Sequence, residues 1–472
     1  MPDERFEDHL RHPRGRGRAV SGAFDGAAGG AACGDLVRMS VAVEGDRVRA
    51  AGFEASGCGA TIAAASAAVE LVEGAGLLDA ARIGSPRIAA ELGGLSAGKL
   101  HAADLASDAL HRALGAAVRA NGRLPARDGR TLVAMSGGVD SAVAALLAAR
   151  DRSAGARRPE VVAVTLELWA DPENDGERSC CSAAAVRGAR RVAHGLGLAH
   201  FTLDLRDEFR AGVVEPWLME HAAGQTPNPC VRCNGHVRLD AMLEFAGRLG
   251  AGTLTTGHYA RRTPGGLLRL AADPAKDQTY MLAALSRAAL ERLRFPLGDL
   301  TKPAVRELAE RAGLDVARKP DSQDLCFLAG TGRASFLARH GGMRRRPGDI
   351  LDRSGAVIGR HDGHHGFTVG QRRGLGGGSR EPLYVLATDA YANTVTVGPR
   401  DALQTRTVRV RGLRMHGIAP DAVRLRYRAA ALRCRLDGEE IHLDEPFDGA
   451  APGQTAVFLA GDAIVGCATI AG

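Results

Sequence analysis

The spacing of apolar residues in the first hundred positions predicts two strands followed by helices. Apolar and polar side chains alternate at 36–43 and 47–54, and the Gly45-Asp46 pair between these runs suits a β-hairpin. Apolar residues at helical intervals follow at 61–73, 85–92 and 103–119. Residues 1–120 therefore read as one α+β domain, and 121–130, with the sequence NGRLPARDGR, has the composition of a linker.

From residue 131 the pattern changes to strands that alternate with helices. Strand-like runs at 131–135, 161–166 and 200–203 are separated by helical runs, one of them at 183–196. This alternation is typical of an α/β domain with a doubly wound parallel sheet, here predicted over 131–338. Short β runs broken by Gly and Pro follow at 394–397, 406–410, 423–428 and 456–459. They predict a small central domain at 339–392 and a C-terminal β-barrel at 393–472.

Composition agrees with a multidomain protein of the cytoplasm. The chain has 472 residues, more than one hydrophobic core usually holds, and 45% of them are hydrophobic. No apolar run reaches the length of a membrane span, and the N-terminus MPDERFEDHLRHPRGRGR is charged, so we predict no membrane association. Nine cysteines in such a chain favour metal or redox chemistry over a disulfide framework. The net charge of +7 is a modest indication of a polyanionic partner.

A glycine-rich turn between the strand at 131–135 and a helical run predicts a phosphate site. Its backbone N–H groups and the helix N-terminus would converge on one point. No Lys-Ser/Thr pair follows, so the turn is not a Walker loop. The segment resembles the SGGxDS loop of ATP pyrophosphatases, which adenylate a substrate oxygen. That resemblance implies an ATP site, with Asp140 holding Mg²⁺ or orienting the loop. The predicted ATP-binding residues of the loop are Ser136, Gly137, Gly138, Val139, Asp140 and Ser141.

The N-terminal domain contains a second set of chemically active residues. Two thiolates, a carboxylate and an imidazole from three segments suit a tetrahedral zinc or iron–sulfur site, although two structural cysteines are an ordinary alternative. The stretches ACGDLVRMSVAV, FEASGCGATIAAASAAVELVEG and LHAADLASDALHRAL resemble the IscU/NifU-type iron–sulfur scaffold proteins. The resemblance implies the ligands Cys33, Asp35, Cys58 and His101.

Two departures from the scaffold family change what this domain is expected to do. The family's third cysteine is replaced by Ala102, and its chaperone-docking motif LPPVK by Leu95-Ser-Ala-Gly-Lys99. Two hypotheses follow. The domain binds a metal or a labile cluster, or it is a degenerate docking module that recruits a cysteine desulfurase or another sulfur or cluster donor.

The rest of the chain resembles the MnmA-type tRNA 2-thiouridylases from about residue 130 to the end. The resemblance rests on SGGVDSAV, TPNPCVRCN, TTGHYAR, KDQTYML, FPLG, KPDSQDLCFL, GFTVGQRRGL, RLRYR and PGQTAVF. It implies ATP-dependent 2-thiolation of the wobble uridine of tRNA by a protein-borne sulfur. It also implies that Cys326 carries a persulfide and that Cys233 releases the sulfur by forming a disulfide with Cys326.

The chemistry of the cysteines leaves a second route open. Adenylation of the uridine C2 oxygen makes AMP the leaving group, after which a soft sulfur nucleophile can attack C2. Some family members have Asp where this chain has Cys230, so Cys230, Cys233 and Cys326 could together hold a 4Fe–4S cluster with one open iron for sulfide. A structural zinc site is the alternative. The fused scaffold-like domain favours the cluster slightly over the persulfide.

The same resemblance implies the substrate contacts. Leu166 and Gly257 would line the nucleotide site, and His258 would lie near the target base. An unstacked base in a single-stranded loop would meet Asn228, Pro229 and Cys230. Further contacts with tRNA are implied for Lys276, Asp277, Gln278, Arg426, Tyr427 and Gln454.

The remaining cysteines have structural interpretations. We interpret Cys180 and Cys181 as structural, and Cys434 and Cys467 as core residues of the β region.

Two other functions remain to be weighed against tRNA thiolation. One is a small-molecule ATP pyrophosphatase, such as an amidating ligase, and the paired cysteines and basic β region argue against it. The other is an iron–sulfur carrier with a vestigial thiolase half, and the intact SGGVDS loop argues against it.

Overall fold

The computed structural model describes residues 4–29, 34–151, 159–171, 182–321, 325–328, 330–375 and 381–472. The chain divides into two compact units. Unit 1 comprises residues 1–206, 241–258 and 292–326, and unit 2 comprises 207–240, 259–291 and 327–472. Within the described residues, no helix combines the length and the apolar character needed to cross a membrane.

Helices and strands alternate along much of the described chain. The helices are α1 (Glu4–Arg11), α2 (Gly59–Val72), α3 (Leu77–Ala80), α4 (Ser85–Glu91), α5 (Leu100–Ala120), α6 (Val139–Arg150), α7 (Ala183–Gly195), α8 (Arg206–Phe209), α9 (Glu215–Ala222), α10 (Pro229–Cys233), α11 (Leu239–Arg248), α12 (Thr279–Leu282), α13 (Arg287–Arg292), α14 (Lys302–Arg311) and α15 (Arg333–Gly341). The strands are β1 (Phe24–Gly29), β2 (Leu36–Glu44), β3 (Arg47–Ser56), β4 (Arg130–Ala134), β5 (Glu160–Glu167), β6 (Ala199–Asp204), β7 (Thr253–Thr255), β8 (Arg261–Arg262), β9 (Leu268–Arg269), β10 (Leu293–Arg294), β11 (Gly348–Leu351), β12 (Val357–His361), β13 (Tyr384–Asp389), β14 (Thr394–Gly398), β15 (Gln404–Met415), β16 (Ala422–Arg424), β17 (Leu432–Asp437), β18 (Glu440–Asp448), β19 (Thr455–Ala460) and β20 (Ala463–Ile470).

Unit 1 begins with a three-stranded antiparallel sheet in the order β1-β2-β3. The predicted hairpin pairs Leu36 with Ser56 at its open end. Helices α2 and α5 pack on this sheet. Strand β1 was not predicted, because its sequence FDGAAG has no apolar alternation. It lies so near α5 that a side chain at Gly26 would come within 2.2 Å of the Ala109 carbonyl oxygen.

The second sheet of unit 1 is parallel, with the order β10-β7-β4-β5-β6. This confirms the predicted α/β class. Strand β4 lies between β5 and β7, and helices α6 and α7 pack against strands β4 and β5. The strand order reverses at β4, and the crevice at the carboxyl ends of the strands there is where open α/β sheets bind ligands. The fold thus places the loop after β4 at a binding position.

Unit 2 contains the β domains. One sheet has the order β12-β11-β14-β13. The other has eight strands, and six of them, β15-β18-β17-β16-β19-β20, close into a barrel because β15 also pairs with β20, while β9 and β8 continue the sheet from β20. The predicted C-terminal barrel is confirmed. The predicted strand at 423–428 is too long, since β16 ends at Arg424. The chain turns over the following residues, and Arg428 has a left-handed backbone with φ of 62°.

Candidate active site and metal centre

The loop after β4 has the geometry of a phosphate site. Gly138 precedes the first residue of α6, so the loop opens directly into the positive end of that helix. Gly137 has φ of 70°, and a side chain there would lie 2.6 Å from the Ala185 carbonyl oxygen. A side chain at Gly257 would lie 2.8 Å from the Ser141 nitrogen. Glycine is therefore needed at both positions, because a side chain would collide with the neighbouring backbone.

The two serines of the loop hold it in shape. The Ser141 hydroxyl accepts hydrogen bonds from the Ser136 backbone nitrogen, at 3.1 Å, and from the Ser136 hydroxyl, at 3.2 Å. It donates to the Gly138 carbonyl at 3.0 Å. Ser141 is buried, so its hydroxyl fixes the turn whose backbone N–H groups would contact phosphate.

A lysine that the sequence analysis missed organises the charged side of the loop. Lys302, only 8% exposed, opens α14 and donates to both Asp140 carboxylate oxygens at 2.7 and 2.8 Å. It also pairs with Asp321 at 2.8 Å, and Arg306 pairs with the same carboxylate at 3.0 Å. Lys319 donates to the Gly137 carbonyl at 2.9 Å. Within this group of charged residues, only Lys319 and Asp321 could be singled out from the sequence, because both belong to the KPDS segment.

These ion pairs decide how Mg²⁺ fits the loop. Both Asp140 oxygens already accept from Lys302, so Asp140 does not offer an unengaged carboxylate to a resident ion. Mg²⁺ usually keeps several waters and is held partly by substrate phosphates. The arrangement therefore fits Mg²⁺ that enters as part of Mg·ATP better than an ion held by the protein alone.

The other residues predicted for the nucleotide site lie at the carboxyl ends of the parallel strands, as the phosphate loop does. Leu166 is buried near the end of β5, and Gly257 follows β7. His258 follows Gly257, and its Nδ1 lies 2.9 Å from the Thr256 hydroxyl. Strands β4, β5 and β7 are adjacent and parallel, so their carboxyl ends bring these residues to one edge.

Three of the four predicted ligands in the N-terminal region converge. One donor atom from each of Asp35, Cys58 and His101 lies within 4.8 Å of the others. Within the part of the chain that the structure describes, the buried His101 Nε2 has no hydrogen-bond partner, and its contact with Asp35 Oδ2 is long at 3.6 Å. The fourth predicted ligand, Cys33, lies outside the described residues. This donor set fits a metal such as zinc or iron.

Neighbouring groups orient the carboxylate of this centre. Thr61 donates a hydrogen bond to Asp35, which holds the pKa of that carboxyl below its usual range, and the Cys58 backbone nitrogen donates to it at 3.4 Å. A side chain at Gly57 would lie 2.5 Å from Asp35. Ala102, at the position of the missing third cysteine, is fully buried. Among the described residues, the centre thus consists of Asp35, Cys58 and His101.

The remaining predicted cysteines are divided between the units. Cys230 and Cys233 lie one turn apart on α10, which places them on the same side of the helix. The Asn228 side chain caps this helix by accepting from the Cys230 nitrogen at 3.1 Å. Cys233 is buried and Cys230 half-buried. Cys326, also half-buried, is the last residue of unit 1, so its pairing with Cys233 stays a prediction.

The cysteines with no proposed chemistry are only partly described. Cys180 and Cys181 lie outside the described residues. Cys467 is buried in β20, and Cys434 packs against the barrel core from β17. Burial raises the pKa of each of these two thiols to about 11, so both are poor nucleophiles at neutral pH.

The residues predicted to contact tRNA differ in how many hydrogen bonds and ion pairs they form within unit 2. The Asp277 carboxylate, 7% exposed, accepts from Arg424 at 3.1 Å, from Thr279 and from the Ala271 nitrogen. Gln278 accepts from the Tyr259 nitrogen at 2.9 Å. Through these contacts, Asp277 and Gln278 stabilise the loop between β9 and α12. Lys276 is half-buried beside them, and its contact with tRNA stays a prediction.

The predicted contacts on the barrel are also held in place. Arg426 donates to the Gly449 carbonyl at 3.1 Å and lies over the Phe447 ring. The Tyr427 ring lies 5.7 Å from that of Tyr280. Gln454 donates to the Thr226 carbonyl at 2.6 Å. Gln454 therefore ties the barrel to the segment just before Asn228, and a direct contact with tRNA stays a prediction.

A cavity of about 200 Å³ opens beside α10 within unit 2. Asn228 and Pro229 line it, together with Trp217, Glu220 and Arg414. Burial raises the pKa of Glu220. The cavity combines an aromatic wall with hydrogen-bonding and cationic groups, which suits a flat polar ligand.

The fold and these sites define a nucleotide-binding α/β enzyme joined to a scaffold-like domain and a β-barrel. Family models match in the same order. A NifU-like N terminal domain matches residues 3–121 and a tRNA methyl transferase HUP domain matches 129–330. A tRNA methyl transferase PRC-barrel domain matches 334–399 and an aminomethyltransferase beta-barrel domain matches 406–470. The predicted boundaries at 120, 130, 338 and 392 remain predictions.

Curated relatives give the family. The bifunctional protein NifU/MnmA of Rubrobacter xylanophilus is 45% identical over 483 residues, which cover 98% of this chain and 97% of that protein. The chain belongs to this NifU/MnmA family. The tRNA-specific 2-thiouridylase MnmA of Thermobifida fusca is 45% identical and covers 72% of this chain and 95% of its own. The corresponding protein of Thermus thermophilus is 41% identical over 72% and 94%.

A solved structure is similar over part of the chain. The U34-tRNA thiolase NcsA from Methanococcus maripaludis, with its [4Fe-4S] cluster, covers 42% of this chain and 61% of its own at 15% identity, with a TM-score of 0.30. At this score the likeness is too weak to support an argument about mechanism.

Proposed function

We propose that the protein uses ATP to convert a uridine of tRNA into 2-thiouridine. The observation that carries this proposal is the SGGVDS loop at the switch point of the parallel sheet, in a chain that belongs to the NifU/MnmA family. The loop would bind ATP through its backbone N–H groups and the α6 N-terminus. Lys302 and Lys319 would keep the loop in shape while the triphosphate binds.

The proposed reaction has two chemical stages. The uridine C2 oxygen attacks the α-phosphorus of ATP, pyrophosphate leaves, and the oxygen carries AMP. The terminal sulfur of a Cys326 persulfide then attacks C2, and AMP leaves with the oxygen. Attack of the Cys233 thiolate on Cys326 Sγ releases 2-thiouridine and leaves a Cys233–Cys326 disulfide, which a cellular dithiol reduces. A cysteine desulfurase is the proposed source of the persulfide.

An iron–sulfur cluster is the other candidate for the sulfur carrier, and the fused scaffold-like domain favours it slightly over the persulfide. The placement of Cys230 and Cys233 on one side of α10 supports it, because two of the three proposed ligands already share a helical turn. When bound, such a cluster would supply a sulfide nucleophile from its open iron. The protein's own part would be to hold it through Cys230, Cys233 and Cys326 and to exclude water.

We propose that the cavity beside α10 receives an unstacked nucleotide of the tRNA. Asn228 and Pro229, both implied to meet the target base, line it, and Arg414 supplies a positive charge for phosphate. Single-stranded loops give up stacking at low cost, so an anticodon base can enter such a cavity. Arg426, Tyr427 and Lys276 would add phosphate and stacking contacts on the same unit.

The function is tested by direct measurement of the product. Protein purified without oxygen is incubated with Mg·ATP, unmodified tRNA and one of two sulfur sources, either a cysteine desulfurase with cysteine or sulfide, and 2-thiouridine is quantified by mass spectrometry. We expect product only when ATP and tRNA are both present. Pyrophosphate release that tRNA does not stimulate would indicate a small-molecule ligase instead. Iron binding without product would indicate a carrier.

We propose that Cys33, Asp35, Cys58 and His101 bind a divalent metal or a cluster that serves sulfur supply. Replacing His101 by alanine is expected to weaken Fe²⁺ or Zn²⁺ binding at least about 10-fold, because one of the proposed donors is lost. The matched control is His12→Ala, which alters an exposed histidine of the same region. Metal content and titration of added Zn²⁺ provide the measurement. Equal metal affinity in the two variants would contradict metal binding by His101 and would favour the hypothesis that the domain is a docking module.

A further inference from the structure

Helix α5 of the N-terminal domain covers the free edge of the nucleotide-binding sheet. Strand β6 is an edge strand, and such edges expose unpaired backbone groups unless another element covers them. The His200 nitrogen donates to the Ala81 carbonyl at 2.9 Å. Arg119 of α5 donates to the Asp204 carbonyl at 3.3 Å. The N-terminal domain therefore completes hydrogen bonds that β6 cannot make within its own sheet.

The contact between α5 and β6 is close as well as polar. A side chain at Gly115 would lie 1.9 Å from the Thr202 carbonyl oxygen, so the helix backbone lies directly against the strand. His111 of α5 lies 2.8 Å from the His200 carbonyl and 3.0 Å from the Ile83 carbonyl. Burial lowers the pKa of His111 well below its usual value, so the neutral ring donates to one of the two. Helix α5 is therefore packed directly on the edge of the sheet.

Two buried ion pairs join the same helix to elements of the nucleotide site. Asp108 pairs with Arg190 of α7, and both side chains are only 5% exposed. Arg112 binds Glu167 through Nε, at 3.1 and 2.9 Å to the two carboxylate oxygens, and through a terminal nitrogen at 2.5 Å. The Glu167 side chain is 7% exposed. Removing one member of such a pair leaves an uncompensated charge in the interior.

Both ion pairs end on elements that border the phosphate loop, strand β5 and helix α7. Glu167 is the last residue of β5 and directly follows Leu166, which is proposed to line the nucleotide site. Helix α7, which holds Arg190, also carries Ala185, whose carbonyl oxygen limits Gly137 to glycine. The Arg112 guanidinium also donates to the Ala27 carbonyl of β1, at 2.6 Å, so one side chain joins the two sheets of unit 1.

We propose that α5 makes the N-terminal domain a fixed part of the nucleotide-binding unit and that Arg112 is a positioning residue for ATP, acting through Glu167 at the end of β5. This inference rests on the proposed function only for the identity of the nucleotide. In this arrangement the domain supports ATP binding, whatever it contributes to sulfur supply.

The test measures ATP affinity directly in the full-length protein. Replacing Arg112 by glutamine is expected to raise the dissociation constant of Mg·ATP by about 3- to 30-fold, the span expected for coupling through a packed network. The control is Arg119→Gln, which removes a hydrogen bond between the same helix and β6. It is expected to leave ATP affinity within about twofold. Arg112→Lys, which keeps the charge, is expected to restore part of the affinity.

Melting temperatures separate positioning from a general loss of stability. If Arg112→Gln lowers the melting temperature but leaves ATP affinity unchanged, the pair is only structural and the inference is wrong. If Arg112→Gln fails to fold, Glu167→Gln, which removes the negative charge of the pair, must weaken ATP binding in the same direction. Failure of the unaltered protein to bind ATP would overturn the proposed function itself. Weaker ATP binding by Arg112→Gln in a protein that makes no 2-thiouridine would leave this inference intact.

Discussion

Replacing Lys302 by methionine is expected to reduce ATP-dependent formation of 2-thiouridine by about 100-fold or more, the scale observed when one preorganised charge partner is lost from an active site. The lysine bridges Asp140 of the phosphate loop and Asp321. Without it, Asp140 would lose the positive charge that contacts both of its carboxylate oxygens, and it would repel the incoming triphosphate more strongly. Asp321 would still have Arg306. The substitution should therefore mainly change the conformation of the phosphate loop and the affinity for ATP.

The same change is expected to reduce the free energy of unfolding by about 1–3 kcal/mol. Breaking a fully buried pair costs about 3–5 kcal/mol. Here the carboxylates of Asp140 and Asp321 keep 32% and 22% of their side-chain surface exposed, so solvent offsets part of the loss.

A double variant separates the two effects of Lys302. Asp140→Asn combined with Lys302→Met removes both charges, so stability should return towards that of the unaltered protein while activity stays low. Denaturant titration and ATP affinity are the measurements. Lys302→Met with an ATP dissociation constant within twofold of the unaltered protein would contradict the role given to Lys302.

Local sequence patterns predicted the phosphate loop well. They did not predict that Lys302 forms an ion pair with Asp140 of that loop. The loop lies within six residues between a strand and a helix, so composition and periodicity suffice to find it. Lys302 lies 162 residues away from Asp140, and in sequence it is an ordinary first residue of a helix. The pair exists only because α14 packs on α6. Such contacts are set by the fold and leave no periodic signal.

The same reasoning explains what was missed in the N-terminal domain. Its hairpin and long helix have clear periodicity and were predicted to within a few residues. Strand β1 consists mainly of small residues, and only its close approach to α5 gives it a place in the sheet. In sequence, Asp108 and Arg112 have the spacing of the polar side of an amphipathic helix. In the structure, Asp108 pairs with Arg190 of α7 and Arg112 pairs with Glu167 of β5. A domain fusion makes such residues indistinguishable from a solvated surface.

Replacing Cys326 by serine is expected to reduce 2-thiouridine formation at least about 10³-fold with any sulfur source, because both proposed sulfur carriers need this thiolate. The substitution replaces one sulfur atom by oxygen and leaves Lys302, Lys319 and Asp321 in place, so ATP affinity should change by less than about twofold. Cys434→Ser is the matched control, since this half-buried barrel cysteine has no proposed chemistry. Product formed by Cys326→Ser at the unaltered rate would remove Cys326 from the mechanism.

Cys230→Ser then decides between the two carriers, because only the cluster needs a third thiolate. If Cys230, Cys233 and Cys326 hold a cluster, this variant should lose the iron and the visible absorbance of that cluster together with product formation, and reconstitution should not restore them. If Cys326 carries a persulfide, Cys230→Ser should retain activity with a cysteine desulfurase. A single turnover without reductant should then leave a Cys233–Cys326 disulfide, detectable by mass spectrometry of peptides under non-reducing conditions. The two outcomes exclude each other, since a cysteine that ligates iron throughout the cycle cannot also end the cycle as a disulfide.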